Sequence, residues 1–294
     1  MITSTSNQKV KELIRLREKS RAREEEGCFL VEGPRMVREI PHQHINCLYV
    51  SESYGAKNGK LIEAARETGI STEMLSDDVF ARVSDTKTPQ GVLAAVRMVK
   101  YSFSDVLGVK KTAAHTHVQR AFLQDSFSQN FSLKDGGVGR ARLPLVLVLD
   151  NLQDPGNMGT VFRSAEAAGA TGILMSGDCV DIYNPKVIRS TMGAIFRLPF
   201  YRAENLREAV QELRAAGLRV YAAHLEGRRT YDGEDYRRGC AFLIGNEGNG
   251  LRPEIAECAD CRIRIPMEGG TESLNAAVAA SILLFEAARQ RRGK

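Results

Sequence analysis

The chain has 294 residues, of which 43% are hydrophobic and 26% are charged, with a formal net charge of +5. This composition is typical of a soluble globular protein with about two domains, and it excludes disorder of the whole chain. No apolar run reaches the roughly 18–20 residues that span a bilayer, and residues 1–11 lack the apolar core of a signal peptide, so we expect a cytoplasmic protein without a membrane segment.

The first predicted element is an amphipathic helix within residues 9–23. Seven residues of this stretch are Lys or Arg, whereas Val10, Leu13, Ile14 and Leu16 recur at roughly helical spacing. Two interpretations of the basic face stay open. It is either a solvated surface or a surface that binds RNA phosphates and releases their counterions. The mildly basic net charge fits an RNA partner without requiring one.

Strands and helices then alternate up to residue 99. Strands are predicted at 28–32, 46–51 and 93–98, and helices are predicted from residue 35 and at 61–68. We therefore predict a small α/β domain over residues 1–99. Residues 100–142 show weak hydrophobic periodicity, and a structureless stretch of this length is uncommon inside a compact domain, so we predict a flexible linker or insertion there.

The remaining residues, 143–294, predict a larger α/β domain. Its first strand, 143–150, is apolar enough for a buried parallel strand. Further strands are predicted at 172–175, 219–224, 240–245 and 261–265, and helices at 161–168, 185–192, 206–216 and 273–289. Thr271 and Ser273 are the candidate caps of the last helix.

The six cysteines predict no metal site and no disulfide framework. Cys258 and Cys261 form a lone C-x-x-C, whereas zinc needs a second pair or suitably spaced histidines. Neither His224 nor Cys240 completes such a pattern. We therefore expect structural or surface thiols.

The first informative motif, residues 151–163, follows the buried strand. Pro155, Gly156 and Gly159 predict a tight loop, with Asn157 on the loop and Arg163 on the helix after it. A permanently charged Arg in such a place needs an anionic partner if it is buried. Pairing with a local acid and binding of an anionic ligand both remain open.

Two further motifs are rich in glycine and polar residues. Residues 245–251 place three glycines around Glu247, a pattern that is neither a dinucleotide fingerprint nor a P-loop. Such a loop lets the backbone approach a ligand, although a plain turn is the alternative. Residues 265–275 end with Ser273, which fits a helix cap, and Asn275, a poor helix former.

Together the three segments resemble the SpoU/TrmH family of the SPOUT superfamily of RNA methyltransferases. The family pattern N-x-G-x-x-x-R occurs at 157–163, G-x-E-x-x-G-L at 245–251, and I-P-M followed by S-L-N within 265–275. Residues 190–199 resemble the segment between the first two motifs, and the likeness covers 143–289. The N-terminal 98 residues resemble the small ribosomal-protein-like RNA-binding domain of many members.

The resemblance implies a fold and an activity. The fold is a parallel-sheet SPOUT domain with a deep trefoil knot, which hydrophobic periodicity alone does not predict. The activity is transfer of a methyl group from S-adenosylmethionine to a ribose 2′-hydroxyl of RNA, with ribosomal RNA favoured over transfer RNA. An obligate homodimer with the active site at the subunit interface is implied as well. A base-methylating SPOUT enzyme and a non-catalytic RNA-binding factor are the alternatives.

The resemblance also implies the roles of individual residues. Arg163 is placed to handle the hydroxyl, either as a base or electrostatically, because the pKa of an arginine, above about 12, makes it a poor base in water. Four other residues are expected to orient that hydroxyl and the loops: Asn157, Glu247, Ser273 and Asn275. Six residues are expected to contact the cofactor, mostly through backbone atoms or an apolar slot: Leu225, Ile244, Gly245, Ile265, Met267 and Leu274.

Overall fold

The computed structural model describes residues 1–109 and 143–293. Contacts divide the chain into two compact units, Met1–Lys100 with Asp181–Arg197 and Tyr101–Val180 with Leu198–Lys294. Each unit contains its own β-sheet. The domain boundaries at residues 99 and 143 stay a prediction. That prediction placed Asp181–Arg197 in the second domain, whereas the contacts group this segment with the first unit.

The first unit contains a four-stranded mixed sheet in the order β1-β4-β2-β3. Strands β1 and β2 both run antiparallel to β4, and β3 runs parallel to β2. The strands are β1 (Cys28–Glu32), β2 (Ile45–Ser51), β3 (Ser71–Leu75) and β4 (Val92–Arg97). The helices preceding or connecting them are α1 (Gln8–Glu18), α2 (Ser20–Glu26), α3 (Pro34–Arg38), α4 (Glu52–Lys57), α5 (Gly59–Glu67) and α6 (Asp77–Val83). Strand β3 and helices α4 and α6 are absent from the sequence prediction.

The predicted N-terminal helix is in fact two helices. Helix α1 is capped by the side chain of Asn7 and ends at Glu18, because the backbone of the next residue, Lys19, is extended. Helix α2 follows at once and ends at Glu26, before Gly27, which has a φ of 57°. Val10 and Leu13 of α1 are buried, as the apolar spacing predicts.

Two arginines of this segment hold the first unit together. The Arg17 guanidinium donates hydrogen bonds to the last carbonyls of α6, those of Arg82 and Val83 among them. Arg23 is only 3% exposed, pairs with Asp181, and donates to carbonyls at the end of α1. Because a buried guanidinium needs such partners, Arg23 is a structural residue rather than part of a solvated basic face.

Most other basic side chains of the segment also have acidic partners. Lys9 pairs with Glu73, Arg15 with Glu26, and Arg21 with Glu25. Of the seven basic side chains in residues 9–23, only those of Lys11 and Lys19 have no partner in the part of the chain that the structure describes. These exposed ion pairs are weak, so phosphate binding by this segment stays a prediction, except at the buried Arg23.

The second unit is built on a seven-stranded sheet in the order β7-β6-β5-β10-β8-β11-β9. Every neighbouring pair in it is parallel, which confirms the predicted parallel sheet. The strands are β5 (Leu145–Leu149), β6 (Gly172–Ser176), β7 (Phe200–Ala203), β8 (Arg219–Ala223), β9 (Arg229–Thr230), β10 (Cys240–Ile244) and β11 (Cys261–Arg264). All residues of β5, β6 and β10 are buried, as expected for strands covered on both faces.

The remaining helices are α7 (Phe103–Val106), α8 (Pro155–Ala167), α9 (Pro185–Thr191), α10 (Leu206–Ala215), α11 (Pro253–Ala256) and α12 (Ala276–Arg291). Helix α9 belongs to the first unit and the others to the second. Helix α7 lies at the start of the predicted linker, where Val106 and Leu107 join the core of the second unit. The rest of that predicted linker, 110–142, lies outside the described residues.

Two predicted helix boundaries were wrong at functionally important places. Helix α8 begins at Pro155, so the predicted tight loop is already helix and Asn157 lies in its first turn. Proline fits there because the first helical N–H needs no partner. Helix α12 begins at Ala276 with Asn275 as its cap, so neither Thr271 nor Ser273 caps it.

The order of the strands brings the motifs together. Strand β5 lies between β6 and β10, and the chain leaves β5 and β10 towards different parts of the sheet. In parallel sheets, a crevice forms at the carboxyl ends of strands where the connections diverge in this way. The loops after β5, β8, β10 and β11 all lie at this edge. Among the described residues, no helix is long and apolar enough to cross a membrane.

Candidate active site

Glu247 is the centre of a hydrogen-bond network at the carboxyl edge of the parallel sheet. Its Oε1 accepts hydrogen bonds from Asn157 Nδ2 at 2.9 Å and from the Asp154 N–H at 3.1 Å. Its Oε2 accepts a hydrogen bond from the Gln153 N–H at 3.3 Å. The second motif is therefore tied directly to the loop and helix of the first.

Asn275 connects the third motif to the same network. Its Oδ1 accepts hydrogen bonds from the Ala277 N–H at 2.9 Å and the Val278 N–H at 3.2 Å, which caps helix α12. Its Nδ2 donates to Asn157 Oδ1 at 2.9 Å. Three side chains from three motifs thus form one chain of hydrogen bonds, Asn275 to Asn157 to Glu247.

This chain has a fixed direction. Backbone N–H groups can only donate, so Asn275 must present its oxygen to them and its amide nitrogen to Asn157. Asn157 must then accept with its oxygen and donate to Glu247, which acts as an acceptor throughout. Burial opposes ionisation of Glu247, but hydrogen bonds from Asn157, its own backbone and Asp154 outweigh this effect and lower its pKa. The network therefore favours the ionised form of Glu247.

The glycine loop of the second motif closes on itself. Asn246 and Gly250 exchange backbone hydrogen bonds of 2.9 and 3.0 Å, and the Asn246 side chain donates to the Asn151 carbonyl at 2.8 Å. A Cβ on Gly245 would lie 2.1 Å from backbone atoms of Gly250 and Leu251. Glycine is thus required at 245 by the turn itself, a reason that differs from the backbone access expected from the sequence.

An ion pair that sequence analysis missed clamps this loop to β5. Asp150, only 1% exposed, accepts hydrogen bonds from the Arg252 backbone at 2.9 Å and from its Nε at 2.7 Å. Arg252 also lies 3.4 Å from Asp178. The sequence did carry one signal, since an Asp directly after a fully apolar strand needs a partner when it is buried.

The structure does not bring Arg163 or Ser273 into the network. Arg163 lies six residues after Asn157 on α8, about 9 Å further along the axis and about 120° around it. Its side chain is exposed and has no partner among the described residues. Ser273 is exposed on the loop before α12 and makes no side-chain hydrogen bond within the described ranges.

The predicted cofactor residues follow three neighbouring strands. Leu225 comes two residues after β8, Gly245 directly after β10, and Ile265 directly after β11, so these loops share one edge of the sheet. Leu225 is 64% exposed, which is unusual for a large apolar residue and fits an open apolar slot. Met267 and Leu274, on the loop after β11, are both partly buried.

Ile244 differs from the other predicted cofactor residues. Its side chain is 3% exposed in the core, and its carbonyl accepts a hydrogen bond from the Asp150 N–H at 2.9 Å. A direct contact with a ligand therefore has little support at this position. Its predicted role stays a prediction.

The cysteines are free thiols among the described residues. Cys258 is buried and Cys261 is half-buried, and burial raises the pKa of the Cys261 thiol. In the part of the chain that the structure describes, no group of three or more His, Cys, Asp or Glu side chains could hold a metal ion.

Comparison with known families assigns both parts of the chain. The profile of the SpoU rRNA Methylase family matches residues 144–285. The profile of the MRM3-like substrate binding domain matches residues 7–94.

Comparison with curated proteins gives relatives along almost the whole chain. The 23S rRNA (guanosine(2553)-2′-O)-methyltransferase RlmP of Bacillus subtilis is 32% identical over 284 residues, which are 97% of each chain. The 23S rRNA (guanosine-2′-O-)-methyltransferase RlmB of Xylella fastidiosa is 35% identical over 240 residues, covering 81% of this chain and 86% of that protein.

Solved structures agree with this assignment. An AdoMet-bound rRNA methyltransferase from Sinorhizobium meliloti has a TM-score of 0.77 at 28% identity and covers 98% of this chain and 97% of its own. The SpoU methyltransferase AviRb from Streptomyces viridochromogenes, in complex with AdoMet, has a TM-score of 0.75 at 27% identity, covering 98% and 100%. The chain therefore belongs to the SpoU rRNA methylase family and is an RNA 2′-O-methyltransferase that uses S-adenosylmethionine.

Proposed function

We propose that the protein methylates the ribose 2′-hydroxyl of a guanosine in 23S ribosomal RNA. The guanosine and the 23S RNA come from the names of RlmP and RlmB. The observation that carries the proposal is the hydrogen-bond chain from Asn275 through Asn157 to Glu247, which joins all three motifs at the carboxyl edge of the sheet. A cytoplasmic location goes with this proposal.

The residues at this edge fit S-adenosylmethionine. The exposed Leu225 and the partly buried Ile265, Met267 and Leu274 offer apolar surface for an adenine ring, and the loops offer backbone groups. The bound cofactor would supply an electrophilic methyl group, which leaves orientation and proton removal to the protein. The tight turn that requires Gly245 and the ion pair between Asp150 and Arg252 fix the conformation of the glycine loop, residues 245–251.

Asn157, Glu247 and Asn275 act in this proposal as positioning residues. They fix the start of α8 relative to the two loops, and α8 in turn carries Arg163. The guanidinium of Arg163, which has no partner in the part of the chain that the structure describes, is the group proposed to bind the acceptor ribose or its phosphate and to stabilise the alkoxide as it forms. An electrostatic role suits an arginine better than that of a base in water.

A homodimer is part of the proposal. Val278 and Phe285 are 46% and 45% exposed and lie two turns apart on α12, so they form one apolar stripe. Ser281, between them, donates a hydrogen bond of 2.7 Å to Ser164, the neighbour of Arg163. A second copy seated on this stripe would lie close to Arg163, which fits a site completed at the subunit interface.

Two alternative functions are tested by the same experiment. Purified protein is incubated with methyl-labelled S-adenosylmethionine and either 23S ribosomal RNA or bulk transfer RNA, and the product is digested to nucleosides. We expect label in 2′-O-methylguanosine from 23S RNA. Label on a base would establish a base methyltransferase, and RNA binding without transfer would establish a binding factor. Light scattering of the same sample measures the oligomeric state, and a monomer would contradict the dimer.

A further inference from the structure

Arginines crowd the free edge of the parallel sheet in the second unit. The last two strands at this edge are β11 and β9. A recess of about 530 Å³ opens beside them. Its lining consists of Glu226, Arg228, Arg229, Cys261 and Arg262. Three of these five residues are arginines and one is an acid, so the lining of the recess carries a net positive charge.

Three arginines at this edge carry unpaired charge. Arg262 and Arg264 flank the buried Ile263 on β11, so strand alternation places both on one face, and both are exposed. Arg228 is exposed on the loop just before β9. Over residues 143–293, none of these three guanidinium groups has a hydrogen-bond or ion-pair partner.

In contrast, two neighbouring arginines, Arg219 and Arg229, are neutralised by a buried carboxylate. Glu234, 6% exposed, lies 2.6 Å from Arg229 and 3.3 Å from Arg219. This buried carboxylate is fully used by those two groups, and Asp260 is used by Arg214. Glu226, the acid in the lining of the recess, forms no ion pair with Arg228, Arg262 or Arg264 within residues 143–293. These three arginines therefore have no acidic partner in that range. Like charges gathered without partners repel one another, and a bound polyanion would relieve that repulsion.

We infer that Arg228, Arg262 and Arg264 form a surface that binds the phosphate backbone of the RNA substrate. The inference rests on the proposed function, which supplies RNA as the polyanion. The planar guanidinium fork matches two phosphate oxygens at once, which a lysine cannot do. Arg262 and Arg264 are about 7 Å apart along the strand, so they can contact successive phosphates rather than one small anion.

The location favours the substrate over an unrelated acidic partner. Arg264 directly precedes Ile265, and Glu226 directly follows Leu225, both predicted cofactor residues. RNA on this surface would thus run beside the carboxyl edge where the motifs meet. The N-terminal helices offer little competing surface, since Arg15, Arg17 and Arg23 already have intramolecular partners.

The test compares two triple variants of the full chain. The first carries Arg228→Gln, Arg262→Gln and Arg264→Gln. The control removes the same charge elsewhere in the second unit, at exposed arginines without a side-chain partner in the described ranges, with Arg207→Gln, Arg238→Gln and Arg292→Gln. Affinity for a 23S RNA fragment is measured by filter binding at several salt concentrations, and affinity for S-adenosylmethionine is measured by calorimetry.

We expect the first variant alone to flatten the dependence of log affinity on log salt. Each lost phosphate contact reduces the slope by about 0.7–0.9, so three contacts reduce it by about 2–3. Cofactor affinity should stay within twofold. Equal slopes for both variants and the wild type would overturn the inference while leaving the methyltransferase activity intact. A wild-type protein that neither binds nor methylates the RNA would overturn the proposed function instead.

Discussion

Replacing Asn157 by Asp tests the direction of the hydrogen-bond network with almost no change in shape. In the wild type, Asn157 Nδ2 donates to Glu247 Oε1 at 2.9 Å, while its Oδ1 accepts from Asn275. Asn157→Asp keeps the acceptor but removes the donor, and it places a second carboxylate against Glu247. We expect a loss of stability and of methyl transfer at neutral pH.

The size of the loss follows from two effects. A hydrogen bond to a charged group contributes about 1.5–3 kcal/mol, and the exposure of Glu247 places this one at the lower end. Two carboxylates about 4 Å apart in surroundings close to water repel by about 1 kcal/mol. The total of about 2–3 kcal/mol corresponds to about a 30- to 150-fold loss if it falls on kcat/KM.

The loss should depend on pH. Repulsion by Glu247 raises the pKa of the introduced carboxyl group above its unfolded value of about 3.9, so its stabilising contribution is complete at low pH and is lost as pH rises through the folded pKa. Glu247 in the wild type has a lowered pKa, so its contribution is present at neutral pH and is lost as pH falls. Both effects make the difference between variant and wild type largest near pH 7 and smallest near pH 4.

Urea unfolding from pH 4 to 7.5 would measure the difference in stability between the variant and the wild type, and initial methylation rates from pH 6 to 8 would measure the difference in activity. Asn249→Asp is the matched control, because it adds the same charge to the same exposed loop, and the Asn249 side chain has no partner in the described ranges. If Asn157→Asp loses no more stability or activity than Asn249→Asp, or if its deficit does not change with pH, the argument for a directed network is wrong.

Three further changes probe separate parts of the structure. Arg163→Ala should bind S-adenosylmethionine with unchanged affinity in calorimetry, but its rate of methyl transfer should fall at least about 100-fold, as is typical when an electrostatic group is lost. Arg163→Lys should lose methyl transfer as well, because an ammonium does not replace the planar guanidinium. Near-normal turnover would remove Arg163 from the mechanism. Gly245→Ala should lower the melting temperature and weaken cofactor binding together, since its Cβ meets the backbone of Gly250 at 2.1 Å; a stable variant with normal affinity would contradict the tight turn. Arg23→Ala should lower the free energy of unfolding by about 2–3 kcal/mol, because it removes the charged hydrogen bonds to Asp181 and leaves carbonyls at the end of α1 without their donor. The exposed Arg21→Ala should cost less than about 1 kcal/mol, and similar losses would refute the structural role of Arg23.

Most strands of the second unit could be predicted from the sequence because they are buried and their residues are therefore mostly apolar. Strand β5 is apolar at every position, and a strand covered on both faces needs no other signal. Short elements were missed for the opposite reason. Strand β9 has two residues, Arg229 and Thr230, and is held by its pairing with β11 and by Glu234, which local patterns do not reveal. Glycines misled the prediction of α8, because helix packing outweighed their weak local preference.

The sequence by itself determined the family and the cofactor, and it identified Asn157, Glu247 and Asn275 as candidate site residues, because the motifs carry these residue types at fixed local spacing. Only the tertiary structure decided how they act together. The contact of Asn157 with Glu247 spans 90 residues and that with Asn275 spans 118. The tertiary structure also determines which basic side chains are available to bind RNA. Arg23 is buried against Asp181, whereas Arg262 and Arg264 are unpaired within residues 143–293. Local spacing specifies residue types, but partners distant in the chain meet only when the sheet brings their loops to the same edge.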